Sequence, residues 1–261
     1  MPSALLKVDG LEKHFGGIVA LADYAVEIHY GELLGLIGPN GAGKTTVFNL
    51  LSGVLQPTRG RIAIEGRDIT GFPPHRKAAL GIARTFQNIR LFNDLSVIDN
   101  IKVALHMRLG RGFWQTICHA PEFRRAEARM EDKAREILDL FDLRAVGAEA
   151  ARNLPYGLQR RVEIARALAA EPKLILLDEP AAGLNPTETQ ELIAVIRRIH
   201  QDYGLAIFLV EHDMKVVMAI CRRIQVLDRG RILASGTPME IRGDRRVVEA
   251  YLGKPNGVKT C

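Results

Sequence analysis

Residues Gly38–Thr45 read GPNGAGKT, and this stretch constrains the chain more than any other. It fits the pattern GxxxxGK[ST] at every fixed position, with the apolar run Leu33–Ile37 before it and a helical pattern after it. Gly38, Gly41 and Gly43 permit backbone turns that aim several N–H groups at one anion. The helix that opens near Gly43 adds the partial positive charge of its N-terminus. Pro39, Asn40 and Ala42 complete the loop, and Thr46 follows in the first helical turn. Lys44 reaches toward terminal phosphates and the Thr45 hydroxyl toward Mg2+. A ligand-free glycine turn is the alternative, but a strand before and a helix after favour a phosphate cradle. The expected ligand is ATP with Mg2+.

Such a cradle needs an acidic residue at the end of a neighbouring strand to hold the metal. Leu174–Leu177 is a continuous apolar run, as in a strand buried on both faces, and Asp178 ends it. Glu179 follows directly, placed to orient or deprotonate an attacking water. Taken alone, Asp178-Glu179-Pro180 also suits a solvated turn.

Strands and helices alternate along most of the chain, which predicts an α/β fold with a mainly parallel sheet. The early part, with strands over Leu5–Asp9, Tyr24–His29, Leu33–Ile37 and Arg61–Glu65, is richer in strand, and a small antiparallel β layer is expected beside the parallel core. From Asn88 to Ala151 the pattern turns helical, with helices over Ser96–Met107 and Pro121–Leu140 and no strand. Ser96 reads as an N-cap ahead of Val97, Ile98, Ile101 and Leu105 on one face. Residues 88–170 are therefore expected to form a helical subdomain inserted into a single domain spanning 1–261. After Lys173 the alternation resumes. Pro186 suits the first position of a helix carrying the apolar stripe Leu192, Val195, Ile196 and Ile199. Strand Ala206–Val210, a helix from Asp213, and strands Arg223–Leu227 and Ile232–Ala234 follow.

No apolar run approaches the roughly 18 residues of a membrane-spanning helix, and Lys7 and Asp9 interrupt any secretory signal. The chain is expected in the cytosol. Cys118, Cys221 and Cys261 are odd in number and lack metal-ligand spacing, so they read as reduced thiols. The net charge of +6 is spread along the chain, which reads as a solvated basic surface, and no nucleic acid partner is expected.

These motifs, in this order, resemble the nucleotide-binding subunit of an ABC transporter across nearly the whole chain. The resemblance implies a P-loop core with an inserted helical subdomain, and it assigns further residues. Gln87, in Arg84-Thr85-Phe86-Gln87, matches the glutamine that senses the γ-phosphate and metal. His212 matches the switch histidine that contacts the γ-phosphate. Phe15 stands where an aromatic stacks on adenine. Catalytic roles are thus implied for Glu179, His212 and Gln87, and metal ligation for Thr45, Gln87 and Asp178.

Leu154-Pro155-Tyr156-Gly157-Leu158 corresponds to the family's signature motif, and Gln159–Leu168 (QRRVEIARAL) to its signature helix. In the family this motif meets the ATP held by a second subunit, which implies nucleotide contacts for Tyr156 and Gly157. Pro155 brings neither N–H nor hydroxyl, leaving the Gly157 N–H and the following helix N-terminus. Asn185 replaces the usual aspartate of the loop Ala182–Asn185, so a charged cross-dimer contact becomes neutral.

Arg84–Phe92, the insertion after Leu105, the YG-type signature and the tail ending Ala250-Tyr251-Leu252-Gly253 are similar to LivG-type subunits of branched-chain amino acid importers. That likeness implies transmembrane permease subunits, a second ATP-binding subunit (a paralogue or a second copy) and, indirectly, a periplasmic solute-binding protein. It places the chain peripherally on the cytoplasmic face of the inner membrane. Importers of urea or short amides and the lipopolysaccharide-export ATPase share parts of the pattern. A soluble ABC-type ATPase acting on ribosomes or DNA is the rival class; against it stand the single phosphate loop and the lack of sustained heptads. A regulatory module that binds ATP without much hydrolysis is the third reading.

Overall fold

The computed structural model describes residues 4–109 and 121–252. Phe113, Trp114, Cys118 and Cys261 lie outside the described residues. A six-stranded sheet organises the molecule. In chain order its strands are β3 (Leu33–Ile37), β6 (Ile82–Arg84), β7 (Leu174–Asp178), β8 (Ala206–Val210), β9 (Arg223–Asp228) and β10 (Arg231–Gly236). They lie in the order β10-β9-β3-β8-β7-β6, with every pairing parallel except the β9–β10 hairpin. β3, β7 and β8 are buried along their whole length, which is why they read as unbroken apolar runs.

A second sheet, antiparallel, runs β2-β1-β4-β5, from β1 (Ala4–Phe15), β2 (Ile18–His29), β4 (Arg59–Ile64) and β5 (Arg67–Asp68). This is the expected antiparallel layer, although β1 and β2 are longer than the sequence suggested. β1 carries on past Gly10, where the register against β2 shifts between Val8 and Leu11.

The two faces of the parallel sheet pack into different cores. Leu34, Leu36, Leu174, Leu176 and Phe208 join the antiparallel sheet and the helix α1 (Lys44–Leu51). Alternate residues Leu33, Ile37, Ile175, Leu177 and Leu209 face the helices α3 (Val97–Leu109), α4 (Pro121–Leu140), α5 (Tyr156–Ala169), α6 (Pro186–Tyr203) and α7 (Met214–Ile220). The period-two switch along each strand creates this division. Among the described residues, 88–170 contribute helices and two 3₁₀ turns and no named strand. Their buried side chains merge with the sheet's own core.

Helix starts follow the sequence closely. Ser96 caps α3, its Oγ accepting the Asp99 N–H at 3.1 Å. Asn185 caps α6 in a capping box: its side chain accepts the Glu188 N–H at 3.0 Å, and Glu188 accepts the Asn185 N–H at 2.9 Å. Asn185→Ala is expected to cost about 1 kcal/mol of stability, read as a lower denaturation midpoint at unchanged slope.

The six-residue helix α2 (Pro74–Ala79) places Lys77 in the interior, 1% exposed, where its ammonium donates to Leu50 O at 2.8 Å. Burial lowers its pKa from the usual 10.5 to about 8. Between these values the unfolded chain holds a proton that the folded chain has lost, so stability rises with pH across that window. The expected gain is roughly 3 kcal/mol. Denaturation at pH 8 and pH 10.5 should show it in the native chain and not in Lys77→Met.

Candidate functional site

The C-terminal ends of β3, β7 and β8 converge, and the loops leaving them carry the site, as open α/β sheets dictate. The loop after β3 bends at Gly38, Gly41 and Gly43, with φ of 153°, 78° and 107°. A Cβ at Gly38 would sit 2.0 Å from Leu227 O, and one at Gly43 would sit 2.8 Å from Ala20 O. These two glycines let the loop lie flat on β9 and β2. α1 then starts from Gly43 with no side-chain cap and no acid in its first turn, leaving its N-terminal charge uncompensated by the chain itself.

Lys44 curls back over this loop, donating to Gly38 O at 2.7 Å and Pro39 O at 3.1 Å. Burial holds its pKa below the usual lysine value, and the Glu179 and Asp178 carboxylates pull the other way. A desolvated ammonium above an uncapped helix start is a built anion cradle. The donor set also fits magnesium. Among the described residues no cluster of three or more acidic, histidine or cysteine side chains forms a metal cage. Mg2+ ordinarily uses one or two carboxylates together with substrate phosphates. Asp178 and the Thr45 hydroxyl supply that kind of partial site.

Asp178 ends β7, buried, and is paired with Arg84 at 2.7 Å. The guanidinium also donates to Asn49 Oδ1 at 2.7 Å and Ser52 Oγ at 2.9 Å on α1 and its C-cap. Arg84 thereby ties the acid to the helix that carries Thr45. The next residue, Glu179, takes a left-handed φ of 47°, with its N–H bonded to Val210 O at 2.9 Å. Non-glycine residues seldom hold this conformation, and it brings the Glu179 carboxylate to Gln87 and His212. Gln87 Nε2 donates to Glu179 Oε2 at 3.0 Å, and His212 Nδ1 lies 3.8 Å from the same oxygen. Three residues separated by up to 125 positions thus meet at one carboxylate.

Beneath them lies Glu211, fully buried, which accepts the Ala181 N–H at 2.8 Å and the His212 N–H at 3.2 Å. Burial raises its pKa, and these N–H groups oppose the rise. It fixes the two loops that present Glu179 and His212. Cys221 is the described cysteine; burial pushes its thiol pKa upward, so it is an inert core residue.

Other expected residues lie apart from this cluster. Phe15 sits half-exposed at the end of β1, its ring 5.1 Å from the Lys13 ammonium. Tyr156 and Gly157 open α5; Tyr156 packs on the chain's own loop after β7 and Gly157 on the first turn of α6. A Cβ on Gly157 would lie 2.7 Å from Glu188 Oε1, and one on Gly183 3.2 Å from the Tyr156 ring. Arg84 and Glu211 were missed as site residues: both are charged, and nothing in their spacing distinguishes a buried charge from a solvated one.

The family model described as "ABC transporter" matches residues 21–182, most of the chain. The chain belongs to the ABC transporter family. A second model, "Branched-chain amino acid ATP-binding cassette transporter", matches residues 231–255 of this ABC protein. It is 46% identical to the high-affinity branched-chain amino acid transport ATP-binding protein LivG of Salmonella typhimurium, covering 97% of this chain and 100% of LivG. It is 37% identical to the lipopolysaccharide export system ATP-binding protein LptB of Escherichia coli, over 96% and 98% of the two chains. Among solved structures it resembles the ADP conformation of an ATP-binding cassette of an ABC transporter. That match has a TM-score of 0.82 and 28% identity, and covers 97% of this chain and 100% of the other. The described residues contain no helix long and apolar enough to cross a membrane.

Proposed function

We propose that this ABC ATPase hydrolyses ATP to energise the import of branched-chain amino acids. It would work from the cytoplasmic face of the inner membrane, bound to transmembrane permeases that a periplasmic solute-binding protein supplies. The observation that carries the catalytic part is the convergence of Gln87 and His212 on Glu179, one residue beyond Asp178. The likeness to LivG at 46% identity, nine points above LptB, supports the amino acid substrate over lipopolysaccharide.

In this reading Gly38–Thr46 and the Lys44 ammonium bind the phosphates, and Phe15 stacks on the adenine. Thr45, Asp178 and Gln87 would hold Mg2+, which would supply positive charge beside the transferring phosphoryl group. Glu179 orients the water, and His212 reaches the γ-phosphate from the loop after β8. Tyr156 and Gly157 face the nucleotide of a second ATP-binding subunit. Residues 88–170 act as the helical subdomain that receives the permease.

Uptake of labelled leucine tests this reading in a strain lacking its own importer, complemented with the chain and its permeases. Uptake that requires this chain and is lost with Glu179→Gln supports it. Uptake unaffected by loss of the chain contradicts it.

A further inference from the structure

Arg160 is buried completely, yet it lies on α5 between the two halves of the proposed machinery. One terminal nitrogen donates to Phe86 O and to Glu163 Oε2, each at 2.8 Å. The other donates to Gln87 O at 2.8 Å and to the Tyr156 hydroxyl at 2.9 Å. Glu163, equally buried, turns its second oxygen to the Phe86 N–H at 3.2 Å. The peptide groups before and after Phe86 are therefore both gripped from α5. Gln87, held by its carbonyl, points its side chain to Glu179.

A buried ion pair is a poor device for stability alone, since well-packed apolar residues of equal volume often do as well or better. What the guanidinium supplies is a planar fork that fixes several acceptors at once, which neither lysine nor glutamine reproduces. Here the fork fixes two backbone carbonyls of the Gln87 loop and the hydroxyl of the signature tyrosine. Tyr156 in turn packs against Gly183, in the loop that also carries Glu179's neighbours.

We propose that Arg160 is a positioning residue that ties Gln87, in the chain's own ATP site, to Tyr156, in the motif offered to the partner's site. Any shift of the signature helix toward a partner nucleotide then moves the Gln87 carbonyl and resets the Gln87–Glu179 contact. The two sites of a dimer are joined through this one side chain. The proposal rests on the reading of Gln87 and Tyr156 given above.

The test is a double-mutant cycle on ATP turnover by the chain in its membrane complex. Arg160→Met with Glu163→Leu removes the fork while keeping the volume filled. This variant should fold and bind ATP with near-native affinity, and KM should stay close to native. Its kcat should fall on the order of ten-fold, within the range expected of groups in one hydrogen-bond network. Gln87→Ala, costly in the native background, should then cost little more. An equal cost of Gln87→Ala in both backgrounds, or an unchanged kcat on loss of the fork, overturns the proposal. If Gln87→Ala costs nothing in the native chain, the underlying reading of Gln87 fails instead. Should the double variant not fold, Arg160→Lys keeps the charge pair without the fork and is judged by the same non-additivity.

Discussion

Glu179→Gln is expected to lower ATP turnover by about 100-fold or more, with ATP affinity little changed. The magnitude is that of removing a positioned general base. The geometry makes the prediction specific. Gln87 and His212 both address the Glu179 Oε2 oxygen, and the left-handed backbone at 179 holds that carboxylate where both reach it. Glutamine keeps the size and most of the hydrogen bonding, but it does not accept a proton from water. Lys44, the glycine loop and Asp178 remain, so binding persists while hydrolysis slows. Single-turnover assays with equilibrium binding of ATP separate the two. Native turnover in a folded Glu179→Gln variant removes the residue from catalysis.

The second large effect is on stability. Arg84→Met is expected to cost about 3–5 kcal/mol, because it leaves Asp178 buried without its partner. For a chain of this size that is a fall in Tm of roughly 10 °C. Both side chains of the pair are at most 7% exposed, so solvent does little to screen the stranded carboxylate. The loss also frees Asn49 and Ser52, which the guanidinium ties to Asp178. Replacing Asp178 by leucine in the same protein should restore much of the stability, since no charge is then stranded, while turnover stays abolished. A small loss in Arg84→Met alone would show that the pair is worth far less than its burial implies.

The sequence made the nucleotide cradle legible because its chemistry demands fixed residue types at fixed spacing within eight positions. Asp178 was legible for a related reason: a strand buried on both faces leaves an apolar run whose polar end stands out. Other features carry no such mark. β1 continues through Gly10 with a shift in its register against β2, whereas glycine in the sequence reads as a stop. β6 is three residues long and α2 six, too short for any periodicity to register. The charged side chains of Lys77, Arg84, Arg160, Glu163 and Glu211 are buried, yet they look like surface residues until the fold places partners around them. In the sequence Asn185 reads as a neutral substitute in a cross-dimer contact; the structure shows it capping α6. The meeting of Gln87, Glu179 and His212 depends on three loops far apart in sequence, and only motif order hinted at it.

In the proposed mechanism this chain carries half of each ATP site, completed by the signature motif of a second subunit. A structure of the Glu179→Gln complex with MgATP tests it most directly. The expected structure has nucleotide on Gly38–Thr46, with Tyr156 and Gly157 of this chain against the phosphates held by the opposing ATPase subunit. ATP bound with Tyr156 still packed on Gly183 and Gly157 on Glu188 of their own chain, remote from any second nucleotide, would contradict it.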